Sequence, residues 1–161
     1  MNPIALRPIG TIHSPYNNVA GMPIQPAGAK GVRGMIKMLP EYVPGLLDLD
    51  GFSHLILIYH FHRVEGYALE IRPFLDKCMH GLFATRAPRR PNPIGLSIVG
   101  LESINGAVLH ISDVDIMDNT PLLDIKPYVP AFDFRSEAKI GWLTGKVGEV
   151  TQFKSDNRFN E

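Results

Sequence analysis

The sequence predicts a mainly β protein, a single-domain antiparallel β-barrel with short helices and long proline-rich loops. Three observations carry this prediction. Apolar runs at 94–104 and 107–117 flank Asn105-Gly106, a pair that tolerates the positive φ angles of a tight hairpin turn. Residues 54–63 alternate strictly, with Leu55, Leu57, Tyr59 and Phe61 on one face and His54, Ile56, Ile58, His60 and His62 on the other. Fourteen prolines and fifteen glycines are scattered along 161 residues, which cuts the chain into short strands and turns. With 45% hydrophobic residues the chain has enough apolar surface to fold around a core.

Taken in order, residues 4–13 alternate weakly and stop at Ser14-Pro15-Tyr16, a strand running into a loop. Residues 17–34 show no periodicity and are long for a plain connection, which suits a binding loop or partial disorder. Gly28, Gly31 and Gly34 lie inside it, but no strand precedes them and no helix pattern follows, so neither a Rossmann nor a P-loop reading holds. Residues 32–39 read as a strand, 44–49 as a helical turn, 54–63 as the strongest strand, and 66–74 as extended. After the hairpin comes a second proline-rich passage, 119–133, then a short helix near 136–143 and a polar, frayed tail after Gly148. No repeat or linker interrupts the chain. The expected division is a barrel domain, 1–145, and a polar C-terminal tail, 146–161.

Sixteen basic residues balance sixteen acidic ones, which excludes a general basic field for gripping nucleic acid and leaves only local contacts. The start, MNPIALRPIG, has proline and arginine where a signal peptide needs an apolar stretch, and no run approaches a membrane span. The single cysteine, Cys78, has no partner for a disulfide or a zinc knuckle, so a reducing cytoplasm is expected and the thiol is read as a half-buried filler.

The segment FATRAPRRPNPIGL, residues 83–96, is the strongest candidate for function. Its prolines fix φ and push the residues before them toward extended geometry, so Arg86, Arg89 and Arg90 lose little freedom on meeting phosphate or carboxylate. His54, His60 and His62 share a strand face, which raises a rival reading as a His-ligated, cupin-type metal enzyme, although Glu65, Glu70, His80 and His110 stand at no telling spacing. Asp113 and Asp115 share a face and form either an acid/base pair or a solvated edge. Asp118-Asn119-Thr120-Pro121 is a turn on composition that also offers a hydroxyl and amides to a ligand. Tyr128 and Trp142 are candidates to stack on a base, although a lone Trp in a small domain is usually core.

Together PIGTIHSPY, Gln25-Pro26, GFSHLILIYHFHR, GLFATRAPRRPNPIGLS and DNTPLLDIKPYVPAFD resemble the TsaA-like family, which includes the TrmO proteins, over roughly residues 8–133. The resemblance implies a small β-barrel, usually a homodimer, that binds S-adenosylmethionine without a Rossmann sheet; no metal ligand set and no membrane partner are expected. It implies N6-methylation of threonylcarbamoyladenosine beside the anticodon of a threonine tRNA. Position-matching puts cofactor contacts on Gln25, Pro26, Ala27, His62, Arg63, Arg86, Leu96, Asp118, Asn119, Thr120 and Pro121. His62 and Arg86 would then pair with the cofactor's carboxylate. Arg89, Arg90, Asn92, Lys126 and Tyr128 are assigned to the tRNA. The acceptor nitrogen must shed a proton, and His60 and Asp118 are the candidate bases, with positioning alone as the alternative. The chain departs from many relatives in reading Asp-Asn-Thr-Pro for Asp-Gly-Thr-Pro, in placing Arg63 where Gln can stand, and in ending soon after Asp133. A third reading is a non-catalytic β-barrel that binds S-adenosylmethionine or nucleic acid.

Overall fold

The structure, a computed structural model, describes residues 2–149 and 154–156. Among the described residues eight strands form: β1 (Gly10–His13), β2 (Gly34–Met38), β3 (His54–His60), β4 (Glu70–Ile71), β5 (His80–Gly81), β6 (Ile94–Asn105), β7 (Val108–Ser112) and β8 (Thr120–Pro127). Six of them close into a barrel in the order β1-β2-β7-β6-β3-β8, with β8 returning to β1 and every pairing antiparallel. β4 and β5 make a separate two-stranded ribbon. Helical content is slight, as expected: 3-10 turns and one four-residue helix, α1 (Pro130–Asp133).

The alternation seen in residues 54–60 sets the core. Leu55, Leu57 and Tyr59 point inward with Ile12, Ile36, Val99, Leu109, Ile111 and Leu122, filling the small barrel with side chains. Burying each Leu or Ile contributes about 1.5–3 kcal/mol. On β6 the inward positions are Gly95, Ser97 and Val99, and Gly95 has a steric reason. A Cβ there would stand 2.2 Å from the Tyr59 ring, which lies across the glycine of the paired strand.

Several boundaries differ from the sequence reading. β1 covers only Gly10–His13, and Ile4 and Leu6 before it are exposed. The 54–63 strand ends at His60; His62 and Arg63 form a turn, so the histidine row is broken before a third imidazole joins it. The hairpin is present, one residue out of the expected register. Asn105 pairs with Val108, and Gly106 (φ 59°) is the first central residue, the pattern of a type II′ turn. The second hairpin strand stops at Ser112, where Asp113 adopts a left-handed φ of 62°. Residues 66–74 yield only the two-residue β4, and 136–143 yield a 3-10 turn at Gly141–Leu143 instead of a helix. Cys78 is exposed, not a half-buried filler, in a turn capped by Asp76.

The proline-rich passage after Asn119 holds a strand the prolines concealed. β8 pairs with β1 over Thr120, Pro121 and Leu122, and with β3 from Leu122 to Pro127. Each proline therefore has a ladder partner on one side only, and its missing N–H can face the open side. A bulge between Ile58 and Tyr59 in this pairing re-aims the end of β3 that carries Tyr59.

Candidate functional site

A cleft of about 1000 Å³ opens at the barrel end marked by Tyr59 and Thr120. It is built by three segments. The 14–34 loop is fastened at its start by Ser14 Oγ, which donates to Ile116 O at 2.5 Å, and near its end by Gly31 N, which donates to Asp113 Oδ1 at 2.7 Å. The arginine- and proline-rich loop is braced from within. Arg90 Nη1 donates to Thr85 O at 3.0 Å, Thr85 Oγ1 to Leu82 O at 2.8 Å, and Ala87 with Leu82 and Ile71 forms a second small core over the β4–β5 ribbon. The third segment, 113–119, delivers Asp115 and leads into Thr120.

Of the residues matched to a cofactor, Gln25, Pro26, Ala27, His62, Arg63, Arg86, Leu96 and Thr120 line this cleft together. Arg86 Nη1 donates to Gln25 Oε1 at 3.0 Å, tying the two loops across its rim. Thr120 Oγ1 donates to Met117 O at 2.8 Å, so it accepts from His62 Nδ1 at 3.3 Å, while His62 Nε2 accepts from Arg63 Nε at 3.2 Å. Both imidazole nitrogens are thus engaged in the neutral form. Burial, Arg63 and His60 together hold the His62 pKa below its ordinary value. His62 is thus held neutral within the cleft, while the Arg86 guanidinium is a cation at its rim.

Asp118, Asn119 and Pro121 do not line the cleft. Asp118 is a tether: Oδ1 accepts from Ser14 N at 3.2 Å and meets His13 Nδ1 at 3.1 Å, and Oδ2 accepts from Asn119 Nδ2 at 2.7 Å. Desolvation pushes its pKa up, but the Ser14 amide, His13 and the Asn119 amide outweigh it and hold the carboxyl below its ordinary range. That makes Asp118 a poor base. Asn119 stands at φ 62°, a conformation Asn tolerates as Gly does. His60 is exposed and also outside the cleft.

The residues assigned to tRNA do not gather in one place. Arg90 lines the cleft, but its guanidinium braces the loop and lies 5.7 Å over the Phe83 ring. Arg89 lines a second hollow of about 530 Å³ with Glu70, Arg72 and Asp156. Asn92 is exposed beside the loop's exit, its carbonyl accepting from Ile94 N at 2.7 Å. Lys126 pairs with Asp124 at 2.8 Å, and Tyr128 packs edge-on to His54 at the far end of β3. At about 3.3 Å per residue that end lies about 17 Å from Tyr59.

Sequence reading missed a polar chain in the cleft floor. Tyr59 Oη lies 3.1 Å from Ser97 Oγ, which donates to Asp115 Oδ1 at 2.7 Å, so Tyr59 is the donor to Ser97. Desolvation raises the Asp115 carboxyl to about 6 against the opposing pulls of Ser97, its own amide and Arg86. Burial, helped by Asp115, likewise raises the Tyr59 phenol. The Asp113–Asp115 reading as a solvated edge is corrected: the two carboxylates part, one to Gly31 and one to Ser97. A polar Ser at an inward position of β6 was the available signal, since it must find a partner.

Trp142 is not core. It stands at the cleft rim, donating from Nε1 to Ala84 O at 2.7 Å and stacking on His80 at 4.5 Å. Asp76 fastens this corner by accepting from Lys146 and by meeting His80 at 3.2 Å, which with the Cys78 amide holds its carboxyl well below the usual range. Ser155 returns to the first loop, its amide donating to Met22 O at 2.7 Å, next to a bridge between Pro23 and Lys154; residues 150–153 and 157–161 of the expected tail lie outside the described residues. Among the described residues no three His, Cys, Asp or Glu side chains are placed to hold a metal ion, and no helix is long and apolar enough to cross a membrane.

A closed antiparallel barrel with a polar-edged, apolar-walled cleft at one mouth defines a small-ligand-binding barrel, unrelated in plan to the wound parallel sheet of dinucleotide enzymes. Residues 11–134 match the tRNA-methyltransferase O N-terminal domain family, and the chain belongs to that family. A probable S-adenosyl-L-methionine-binding protein of Pyrococcus abyssi is 51% identical over 156 residues, which are 97% of this chain and 85% of that protein. The tRNA (adenine(37)-N6)-methyltransferase of Escherichia coli is 34% identical over 140 residues, 81% of this chain and 60% of that protein. The crystal structure of TrmO from Pseudomonas aeruginosa superposes with a TM-score of 0.74 at 37% identity, covering 88% of this chain and 63% of that one. The chain thus spans about three fifths of the length of these last two relatives.

Proposed function

We propose that this protein transfers a methyl group from S-adenosylmethionine to N6 of threonylcarbamoyladenosine beside the anticodon, with threonine tRNA as substrate. The observation that carries the reading is the meeting of Gln25, His62, Arg86, Leu96 and Thr120, far apart in the chain, in one apolar-walled cleft. Its volume is at the upper end for small-ligand sites, and its polar groups suit the donor's parts. Arg86 offers two donors to a carboxylate, the loop backbone at Pro26 and Ala27 is placed at the wall for adenine or ribose, and Leu96 supplies a flat apolar face. When bound, S-adenosylmethionine supplies a methyl group on a sulfonium that leaves as a neutral thioether. The chain's own work is to hold donor and acceptor in line, to keep water out, and to remove a proton.

The names of relatives support the donor and the tRNA substrate. We further read Arg89, Arg90, Asn92, Lys126 and Tyr128 as tRNA contacts, those remote from the cleft engaging the rest of the anticodon arm. We also propose that the protein is a homodimer, as the family resemblance implies. A cytoplasmic location fits the lone exposed thiol of Cys78. Isothermal calorimetry with S-adenosylmethionine and its demethylated product, followed by transfer of labelled methyl into tRNA pools, tests the proposal. Binding with no transfer to any pool would instead make the protein a binding module, and no binding of either compound would discard the reading.

A further inference from the structure

We propose that Asp115 is the base that accepts the acceptor nitrogen's proton as the methyl group is transferred, and that Ser97 and Tyr59 position it. This deepens the methyltransferase reading and rests on it. Among the described residues lining the cleft Asp115 is the one carboxylate, and the other candidate bases are committed elsewhere. His62 spends both nitrogens on Arg63 and Thr120, Asp118 tethers the 14–34 loop, and His60 is exposed outside the cleft.

The chain of donors fixes the carboxylate from behind. Tyr59 donates to Ser97 and Ser97 to Oδ1, so the carboxyl plane is held by a residue of the barrel wall and not by the 113–119 segment alone. Tyr59 is in turn locked by Gly95, which leaves room for the ring. The groups facing Asp115 are Arg86 from the proline-rich loop, Tyr59 from β3, Ser97 from β6, and Tyr16 from the loop after β1. Desolvation opposes the ionised carboxylate while Ser97, the residue's own amide and Arg86 favour it, which leaves a base poised about one unit below neutral pH.

In the step itself the acceptor N–H bond breaks and its proton passes to the Asp115 carboxylate. The pair left on nitrogen forms the new N–C bond to the donor's methyl carbon as that carbon's bond to sulfur breaks, its electron pair staying on sulfur. The positive charge of the donor is thereby removed, and Asp115 returns its proton to solvent before the next turnover.

The test compares wild type with Asp115→Asn and Ser97→Ala by calorimetry with S-adenosylmethionine and by single-turnover methylation of the tRNA pool across pH 5–9. Asp115→Asn is expected to bind S-adenosylmethionine within about threefold of wild type and to transfer methyl at least about a hundredfold more slowly, with the acid limb near pH 6 gone. Ser97→Ala, having lost the donor that favours the ionised form, is expected to move that limb to higher pH. Wild-type transfer by Asp115→Asn, or an unmoved limb in Ser97→Ala, would overturn the role of Asp115 and leave the methyltransferase reading standing. A tenfold or greater loss of S-adenosylmethionine affinity in Asp115→Asn would make Asp115 a donor ligand instead. Should Asp115→Asn fail to fold, the Ser97→Ala limb decides alone. A wild-type protein inert toward every pool would overturn both readings.

Discussion

Asp115→Asn should stabilise the protein in alkali and leave it unchanged in acid. The folded state raises the carboxyl from 3.8 to about 6, so it favours the protonated form. Such a group contributes stability that is fully present below pH 3.8 and is lost as pH rises through about 6. A shift of roughly two units corresponds to a ceiling of about 3 kcal/mol. The residue as a whole is half-buried, although its carboxyl group sits deeper, so solvent screening at the mouth lowers the expected gain to about 1–2 kcal/mol. Asparagine is neutral at every pH and still offers Oδ1 to Ser97. The assay is urea denaturation of both proteins at pH 4, 6 and 8; titrations of Asp76, Asp118 and His62 occur in both and cancel in the difference. A gap that does not widen between pH 4 and 8, or an Asn variant less stable at pH 8, would refute the reasoning. A residue whose natural form costs stability where the neutral isostere would not is the signature of a group kept for chemistry.

Other outcomes follow from the same geometry. Arg86→Ala should weaken calorimetric binding of S-adenosylmethionine by roughly ten- to hundredfold, the worth of about 1.5–3 kcal/mol for a charged hydrogen bond, while its exposed bond to Gln25 leaves the urea midpoint unchanged. Gly95→Ala should cost about 2 kcal/mol or more, because its Cβ would stand 2.2 Å from Tyr59; a change below about 0.5 kcal/mol would show that the ring swings away freely. Nitrogen-detected NMR should find His62 titrating below its ordinary value and carrying its neutral-form proton on Nδ1; a signal from the Nε2–H form would contradict the Thr120 contact. With no net charge on the chain, the plot of log affinity for tRNA against log salt should have a slope of only about −2 to −3, as for three phosphate contacts, and a slope steeper than about −6 would point to a basic face not seen here.

The barrel was legible where local pattern and tertiary demand agree. Strict alternation gave β3, and the Asn105-Gly106 turn gave the β6–β7 hairpin to within one residue of register. β8 was hidden because proline counts against a central strand unless one knows that each proline has a neighbour on only one side. The shared position of Gln25, Arg86 and Thr120 followed from resemblance and not from spacing, because residues so far apart meet only once the ring closes. The choice between acid/base group and solvated edge stayed open for Asp115 because its surroundings depend on Ser97, which belongs to another strand, and on the left-handed turn at Asp113. For Trp142 the sequence left base stacking and core as alternatives, and neither foresaw its indole N–H as a clasp between the C-terminal segment and the arginine-bearing loop.

Strand β8 both completes the ring, by pairing with β1, and supplies Thr120 to the cleft. Occupancy of the cleft and the seam between the first and last strands are therefore thermodynamically linked. A ligand that grips Thr120 and the loops beside it raises the free energy of opening that seam by RT ln(1 + [L]/Kd). Amide protons of β1 and β8, among the last joined in chain order, would then exchange more slowly in proportion to ligand, making hydrogen exchange at residues 10–13 a remote gauge of occupancy.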